Sequence, residues 1–276
     1  MLKISGKEGR PYSLLFRGVS FSMSYEAGVF VALQNFSPDV LKSASRIYGS
    51  SSGSVIATVG LCGCDMGKGC RFLFIFQLKT SFLGLVPGGR MMRLLKDILN
   101  KLLPPNAHEL VSGKLHIILT RLHDWRSVTV SEFASKEELI QAVTCSCFIP
   151  FYFGLSPPTF RGVVSSFVVS DFVSPSTITI SAFAGEYDIC PKDSAAAFLT
   201  FQISDCILHI SKMNICRLLY IFCPPTRQVS YLQVTRAMSP LQQPSCPDCH
   251  LSLQVIDNFY IQGYQDTIYF LKRLSK

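Results

Sequence analysis

Charge is scarce in this 276-residue chain: 16% of positions are Asp, Glu, Lys or Arg, against 48% hydrophobic. That balance excludes a solvated, disordered chain and is enough to bury one large core. Long unbroken apolar runs are missing as well. The longest uncharged stretch, 139–160, is interrupted by Pro150, Pro157 and Pro158, so no membrane-spanning helix is expected. The N-terminal residues carry early basic groups but no sustained apolar run ending in a small-residue cleavage site, and secretion is not expected. There is no arginine stripe interleaved with aromatics, no helix-turn-helix and no zinc-finger pattern, which argues against nucleic acid as a partner.

Cysteine, by contrast, is abundant. The eleven cysteines are scattered through apolar contexts such as Cys145 and Cys147, and without a leader they read as reduced core thiols of a cytoplasmic protein. A net charge of +8 and a pI near 8.9 suit an anionic partner. A lipid droplet or membrane surface, met peripherally through apolar runs at 71–79 and 270–276, fits that charge. Solvated decoration is an equally weighted alternative.

The order of elements is strand, turn, helix, twice over. Tyr12 to Gly18 reads as a short buried strand and Ser24 to Phe36 has helical spacing through Ala27, Phe30, Val31 and Leu33. A second strand ends at Gly49, and small apolar residues then run as a helix from Ser52 to about Leu61. This is how an α/β layered fold with a mainly parallel sheet begins. Further helices are expected over Met91–Leu103, after a Ser135/Glu138 start signal, and over Asp257–Leu274; strands are expected at Lys114–Leu122, Ser127–Phe133 and in the run that follows Ser176. The Pro-rich, polar residues 239–250 read as a loop. Two regions follow: residues 1–193 as one domain, and 194–276 as an extension ending in an amphipathic helix.

The stretch around Ser51 carries the chemistry. Gly49 and Gly53 flank it in a G-x-S-x-G pattern between a strand and a helix, an elbow in which glycines let the chain turn sharply while the serine is held out. There the hydroxyl meets the positive end of the helix dipole, which favours developing negative charge. The first strand-to-helix turn, from Gly18 onward, lies where backbone N–H groups could serve an oxyanion. An ordinary βα turn is the blander reading of that segment.

The stretches LLFRGVSFSMSYEAG (14–28), RIYGSSSGSVIA (46–57), KLHIILTRLHD (114–124), the long segment 130–163 and STITISAFAGEYDICPKD (176–193) together resemble the patatin-like phospholipase domain family, in its adiponutrin-type branch. The resemblance implies a three-layer α/β/α fold and a Ser/Asp dyad without histidine. It implies cleavage of acyl esters of phospholipids, triacylglycerols or other lipid esters, or passage of the acyl group to another lipid. No cofactor and no metal is implied. Carried over, Ser51 is the nucleophile, Gly49 and Gly53 form its elbow, and Gly18, Val19, Ser20 and Phe21 form the oxyanion loop.

Two motifs depart from the family pattern. The glycine-rich loop has Ser20 and Met23 where the family has its second and third glycines, which restricts the backbone there. The D-G-G or D-G-A motif of the base is missing: its position falls on Ser166, followed by Phe167 and Val168. Asp171 is the nearby carboxylate, about five positions and more than roughly 10 Å along a strand away. Three readings stay open. Asp171 or a histidine serves as the base; the protein is a catalytically impaired, lipase-regulating member that binds lipid surfaces or a lipase cofactor protein; or residues 164–176 are a mis-joined translation of an ordinary gene.

Other candidates carry blander readings. Cys246, Cys249 and His250 resemble half a zinc site without a second pair at suitable spacing, and a metal-free loop is expected. His116 and His123 read as structural or surface histidines. The aromatic stripe of the last helix reads as a packing face, with a lipid anchor as the sharper alternative.

Overall fold

The computed structural model describes residues 11–18, 23–67, 88–150, 153, 156–166, 176–193, 200–203, 206–222 and 247–275. Its centre is a sheet of seven strands: β1 (Ser13–Arg17), β2 (Arg46–Ser50), β3 (Leu115–Arg121), β4 (Ser127–Val130), β5 (Thr159–Phe160), β6 (Val163–Ser166) and β7 (Thr177–Ser181). The strands β7, β1, β2 and β3 lie side by side and parallel; β4 runs antiparallel to β3 on the flank away from β2, and β6 pairs antiparallel with the end of β3 on the β2 flank, beyond the end of β2. With helices flanking a mainly parallel sheet, the fold is the expected three-layer α/β/α class.

Parallel strands covered on both faces read as continuous apolar runs, and β1 is buried at all five positions. Leu14 and Phe16 enter the main core, while Leu15 joins Tyr48 and Ile118 in a separate cluster. This is the alternation that a two-residue repeat imposes. The helices are α1 (Met23–Phe36), α2 (Pro38–Ser43), α3 (Ser52–Leu61), α4 (Gly88–Leu102), α5 (Ala107–Val111), α6 (Lys136–Cys147), α7 (Lys212–Phe222) and α8 (Pro247–Leu274). A separate antiparallel pair, β8 (Thr200–Ile203) and β9 (Cys206–His209), precedes α7.

Small residues set the helix spacing. Gly60 of α3 faces the ring of Phe30, where a Cβ would stand 2.3 Å from it, so the ring is buried flush against the α3 backbone. Gly28 of α1 and Gly263 of α8 do the same for that pair: a Cβ on either would come within 2.0 Å of the carbonyl of Tyr260 or Tyr25. The contact is fixed further by Tyr25, whose hydroxyl donates to Asp266 Oδ2 at 2.9 Å. Burial, then the neighbouring Asp266 carboxylate, pushes the Tyr25 phenol well up; burial pushes the Asp266 carboxyl up. Nearby, Arg217, 1% exposed, forks onto Asp193 at 3.0 and 3.1 Å and anchors α7.

The expected first two strands and their helices are present to within a residue or two, and α6 starts at the expected signal. Ser135 Oγ accepts the Glu138 N–H at 3.1 Å, and Glu138 Oε2 accepts in return from Ala134 N at 2.6 Å, one residue before the cap. The loop expected over 239–250 needs correction at its end: residues 247–250 are helical, and α8 opens on Pro247 and Asp248. Proline lacks only an N–H that a first helical turn leaves unpaired anyway, and an acidic residue there favours the dipole. Residues 239–246 lie outside the described residues. So does the apolar run 71–79.

The stripe of α8 is a packing face. Phe259, Phe270 and Leu271 are buried in the main core, and Tyr264 meets Phe36 edge-on at 5.7 Å. Ile261 and Tyr269 remain exposed. Among the described residues, no helix is long and apolar enough to cross a membrane.

Candidate active site at the end of strand β2

Strand β2 ends at Ser50 and α3 begins at Ser52, leaving Ser51 alone at the corner with φ 52° and ψ −128°. A side chain at positive φ costs about 1–3 kcal/mol unless its surroundings hold it. Three glycines make the corner possible. A Cβ on Gly49 would lie 2.5 Å from Ser54 Cα, one on Gly53 2.3 Å from the Phe16 carbonyl, and one on Gly18 2.3 Å from both Gly53 N and Ser50 O. The end of β1 is therefore packed directly on the elbow, and each glycine is required by backbone approach.

Hydrogen bonds complete the hold. Gly18 N–H donates to Ser50 O at 3.0 Å, and Ser54 donates to Ser51 O twice, from its N–H at 2.9 Å and from Oγ at 2.6 Å. From across the sheet, Ser51 N–H donates to Ser146 Oγ at 2.9 Å, and Ser146 Oγ donates onward to the Ile118 carbonyl at 2.8 Å. Next along α6, the buried Cys147 thiol lies beside the side chains of Ser54 and Ser51. Burial pushes that thiol up to about 12, with the two serines pulling slightly the other way. It is thus a neutral neighbour of the Ser51 hydroxyl at physiological pH and no proton acceptor for it.

The sequence reading named Gly18, Gly49, Ser51 and Gly53, and the structure brings these four together. Because Gly18 N–H is occupied by Ser50 O, that glycine's part in the corner is close packing. Val19, Ser20, Phe21 and Asp171 lie outside the described residues. Ser166 ends β6 and pairs with Thr120 of β3, two residues beyond Ile118, the partner of Ser50. The position that the resemblance assigns to the base thus lies on the β2 flank of β3, two residues along β3 from the partner of Ser50.

Neither histidine is bonded to Ser51 in the described structure. His116 packs on the Tyr48 ring at 5.0 Å, and burial lowers its basicity. His123 pairs with Asp124 at 3.6 Å on the β3–β4 turn. Among the described residues no group of His, Cys, Asp or Glu could hold a metal ion; Cys246 and the side chains of Cys249 and His250 are outside them. A surface hollow of about 550 Å³ lined by Ser112, Phe133 and Arg161 lies at the opposite end of α6 from Ser146.

Sequence reasoning missed Ser146, Cys147 and Ser54 as parts of this corner. Ser54 was within reach, since three residues after a helix-capping position is where a hydroxyl can meet the cap carbonyl. Ser146 comes from 95 residues away with Cys147 next to it, and no local signal announces them.

Comparison with known proteins places these features in context. The model of the patatin-like phospholipase family matches residues 14–171. Human omega-hydroxyceramide transacylase is 36% identical over 98% of this chain and 47% of its own length. The human 1-acylglycerol-3-phosphate O-acyltransferase PNPLA3 is 38% identical over 80% of this chain and 47% of its own. Human patatin-like phospholipase domain-containing protein 2 is 36% identical over 78% and 44%. The chain spans about half the length of these curated relatives. A crystal structure of VipD from Legionella pneumophila aligns with a TM-score of 0.40 at 12% identity, too distant to carry an argument.

Proposed function

The chain belongs to the patatin-like phospholipase family, and from that premise we propose that it is a lipid acyl hydrolase or transacylase with Ser51 as nucleophile. The observation that carries this reading is the Ser51 corner: an exceptional backbone conformation, glycines packed to backbone contact around it, and hydrogen bonds converging on it. A free hydroxyl is a weak nucleophile and gains by being held at a helix N-terminus.

In the proposed reaction Ser51 Oγ forms a bond to the ester carbonyl carbon of a phospholipid, triacylglycerol or other lipid ester. Its proton passes to a base, and the lipid alcohol leaves carrying a proton. Water then takes the acyl group, or the hydroxyl of a second lipid does. Val19, Ser20 and Phe21, following Gly18, are the proposed source of oxyanion N–H groups, and Asp171 is the proposed base. The catalytic unit is residues 1–193, braced by the terminal helix of the extension 194–276. The substrate would be met peripherally, at a lipid droplet or membrane surface from the cytoplasmic side. In support, Trp125 stands 68% exposed at the tip of the β3–β4 turn, beyond the same sheet edge as Ser51, flanked by Arg121, His123 and Arg126.

A second reading rests on one observation: Ser166, not an Asp-Gly pair, occupies the position matched to the family base. Under it the protein binds lipid surfaces or a lipase cofactor protein with little turnover. Labelling of purified protein by a fluorophosphonate probe separates the two, comparing the parent with Ser51→Ala, Asp171→Asn and Ser166→Asp. Labelling at Ser51 that Asp171→Asn abolishes supports the enzyme reading. A parent that stays unlabelled, with Ser166→Asp gaining labelling, supports the impaired member. Labelling of the parent that survives in Ser51→Ala sinks the assignment of the nucleophile.

A further inference from the structure

The Ser51 corner is held from a distance by one hydroxyl. The Ser51 N–H donates to Ser146 Oγ at 2.9 Å while the same Oγ donates to Ile118 O at 2.8 Å, and Ser146 is fully buried. A serine hydroxyl has one proton and two lone pairs. Here its proton is committed to strand β3 and a lone pair receives the amide of Ser51. The result is a bridge from β3, through the last turn of α6, to the residue whose backbone is left-handed.

We infer that Ser146 is the positioning residue of the Ser51 corner, holding it in its reactive conformation and keeping the Ser51 amide away from any oxyanion. The inference rests on the reading of Ser51 as nucleophile for its catalytic meaning, but the structural hold stands apart from it. At Ser51 the chain leaves β2 at φ 52°, and the amide has turned out of the sheet ladder. An amide so turned and buried needs a partner, and relaxing the corner toward ordinary φ would break this one. The bond therefore favours the corner over the relaxed turn. It also sorts the donors: with the Ser51 amide bound to Ser146 and the Gly18 amide bound to Ser50 O, neither is free for developing charge on the substrate. Oxyanion donors must come from elsewhere.

Ser54 and Cys147 support the same corner from other sides. Ser54 secures the carbonyl of Ser51, and the Cys147 thiol lies beside its side chain. Of these three side chains, Ser146 is the one that also bonds strand β3.

The test compares Ser146→Ala, Ser146→Thr and Thr144→Ala with the parent in the full chain. Thr144 is the control. It is a buried hydroxyl on the same helix that donates to Ile140 O at 2.6 Å, within α6, so its loss perturbs α6 without touching Ser51. Two readouts are taken: the fluorophosphonate labelling rate at Ser51, resolved into probe affinity and maximal rate, and hydrogen exchange of the Ser51 amide by NMR. The inference expects Ser146→Ala to speed that exchange by about tenfold or more and to lower the maximal labelling rate by a similar factor with probe affinity unchanged. Ser146→Thr should restore both to within about threefold of the parent, and Thr144→Ala should move neither. If Ser146→Ala and Thr144→Ala exchange alike at Ser51, the inference is overturned. If the parent is not labelled at all but the exchange contrast appears, the hold is real and the nucleophile reading is the one that fails.

Discussion

Glu26 gives the sharpest quantitative expectation, because it is fully buried on α1 and neither carboxylate oxygen has a hydrogen-bond partner among the described residues. Burial pushes its carboxyl well above the usual 4.5. The folded protein therefore keeps a proton there that the unfolded chain releases above about pH 4.5. With one more proton bound in the native state, unfolding free energy falls by about 1.4 kcal/mol per pH unit. The stabilising contribution is complete below the unfolded value and is lost as pH rises. For as long as the folded carboxyl keeps its proton, the parent should lose stability with rising pH relative to Glu26→Gln, which has no proton to give up. In thermal unfolding each pH unit of that loss is a relative Tm shift of roughly 3–6 °C for a chain of this size. The assay is paired calorimetry or circular dichroism of both proteins from pH 4 to pH 7.5, where all other titrating groups cancel in the difference. The two should converge near pH 4 and diverge upward, with the glutamine variant more stable. Parallel profiles across that range would refute the reasoning and mean that the carboxyl is ionised and satisfied in the fold.

Gly28→Ala should separate α1 from α8, since the added methyl meets the Tyr260 carbonyl; a loss of about 1–3 kcal/mol is expected, and adding Gly263→Ala should cost less than the sum because both act on one contact. A Tm equal to the parent's in Gly28→Ala would contradict the close crossing. Gly18→Ala should abolish fluorophosphonate labelling at Ser51 and lower Tm, whereas retained labelling would deny the packing of β1 on the elbow. The Cys147 thiol, pushed up to about 12 by burial, should resist iodoacetamide in the native protein at pH 8 and react on unfolding, as read by mass spectrometry. Its contribution to stability should fade as pH climbs from about 9 toward 12, by about 1.4 kcal/mol per unit. Rapid native alkylation would count against the buried position. Trp125 is the sole tryptophan and is exposed, so its emission should shift to the blue on phosphatidylcholine vesicles carrying phosphatidylserine, and less so in Arg126→Glu. Unchanged emission while the protein sediments with vesicles would move the lipid contact elsewhere.

The elements legible in the sequence are those whose signals are local. The buried strands β1 to β3 show as apolar runs, α3 begins where the glycine-flanked serines end, and α6 opens on Ser135 and Glu138. Short pieces such as α2, α5 and the two-residue β5 escaped because a turn or two carries no periodicity to detect. The start of α8 was misjudged for a different reason. The Pro-rich, polar composition of 239–250 reads as a loop, although Pro247 stands at the first helical position, where proline is compatible with a helix. The Ser51 corner shows the same division: Gly49, Ser51 and Gly53 are neighbours in the chain, while Ser146 and Cys147 reach it only through the packing of α6 on β3.

The crossing of α1 and α8 has a consequence for how the molecule is made. Tyr25 and Asp266, which meet across it, are separated by 241 positions. At about 5–20 residues per second, roughly 12 to 48 s pass on the ribosome between the synthesis of one and the other. Throughout that interval the apolar side of α1 that awaits α8 has no native cover, and Glu26 sits in a helix whose outer wall has not arrived. The nascent chain therefore carries this crossing unfinished until α8 has been made, a natural point of attachment for chaperones and of loss to proteases. A lesion near residue 260 would then surface first as a shortage of protein, well before any defect at Ser51.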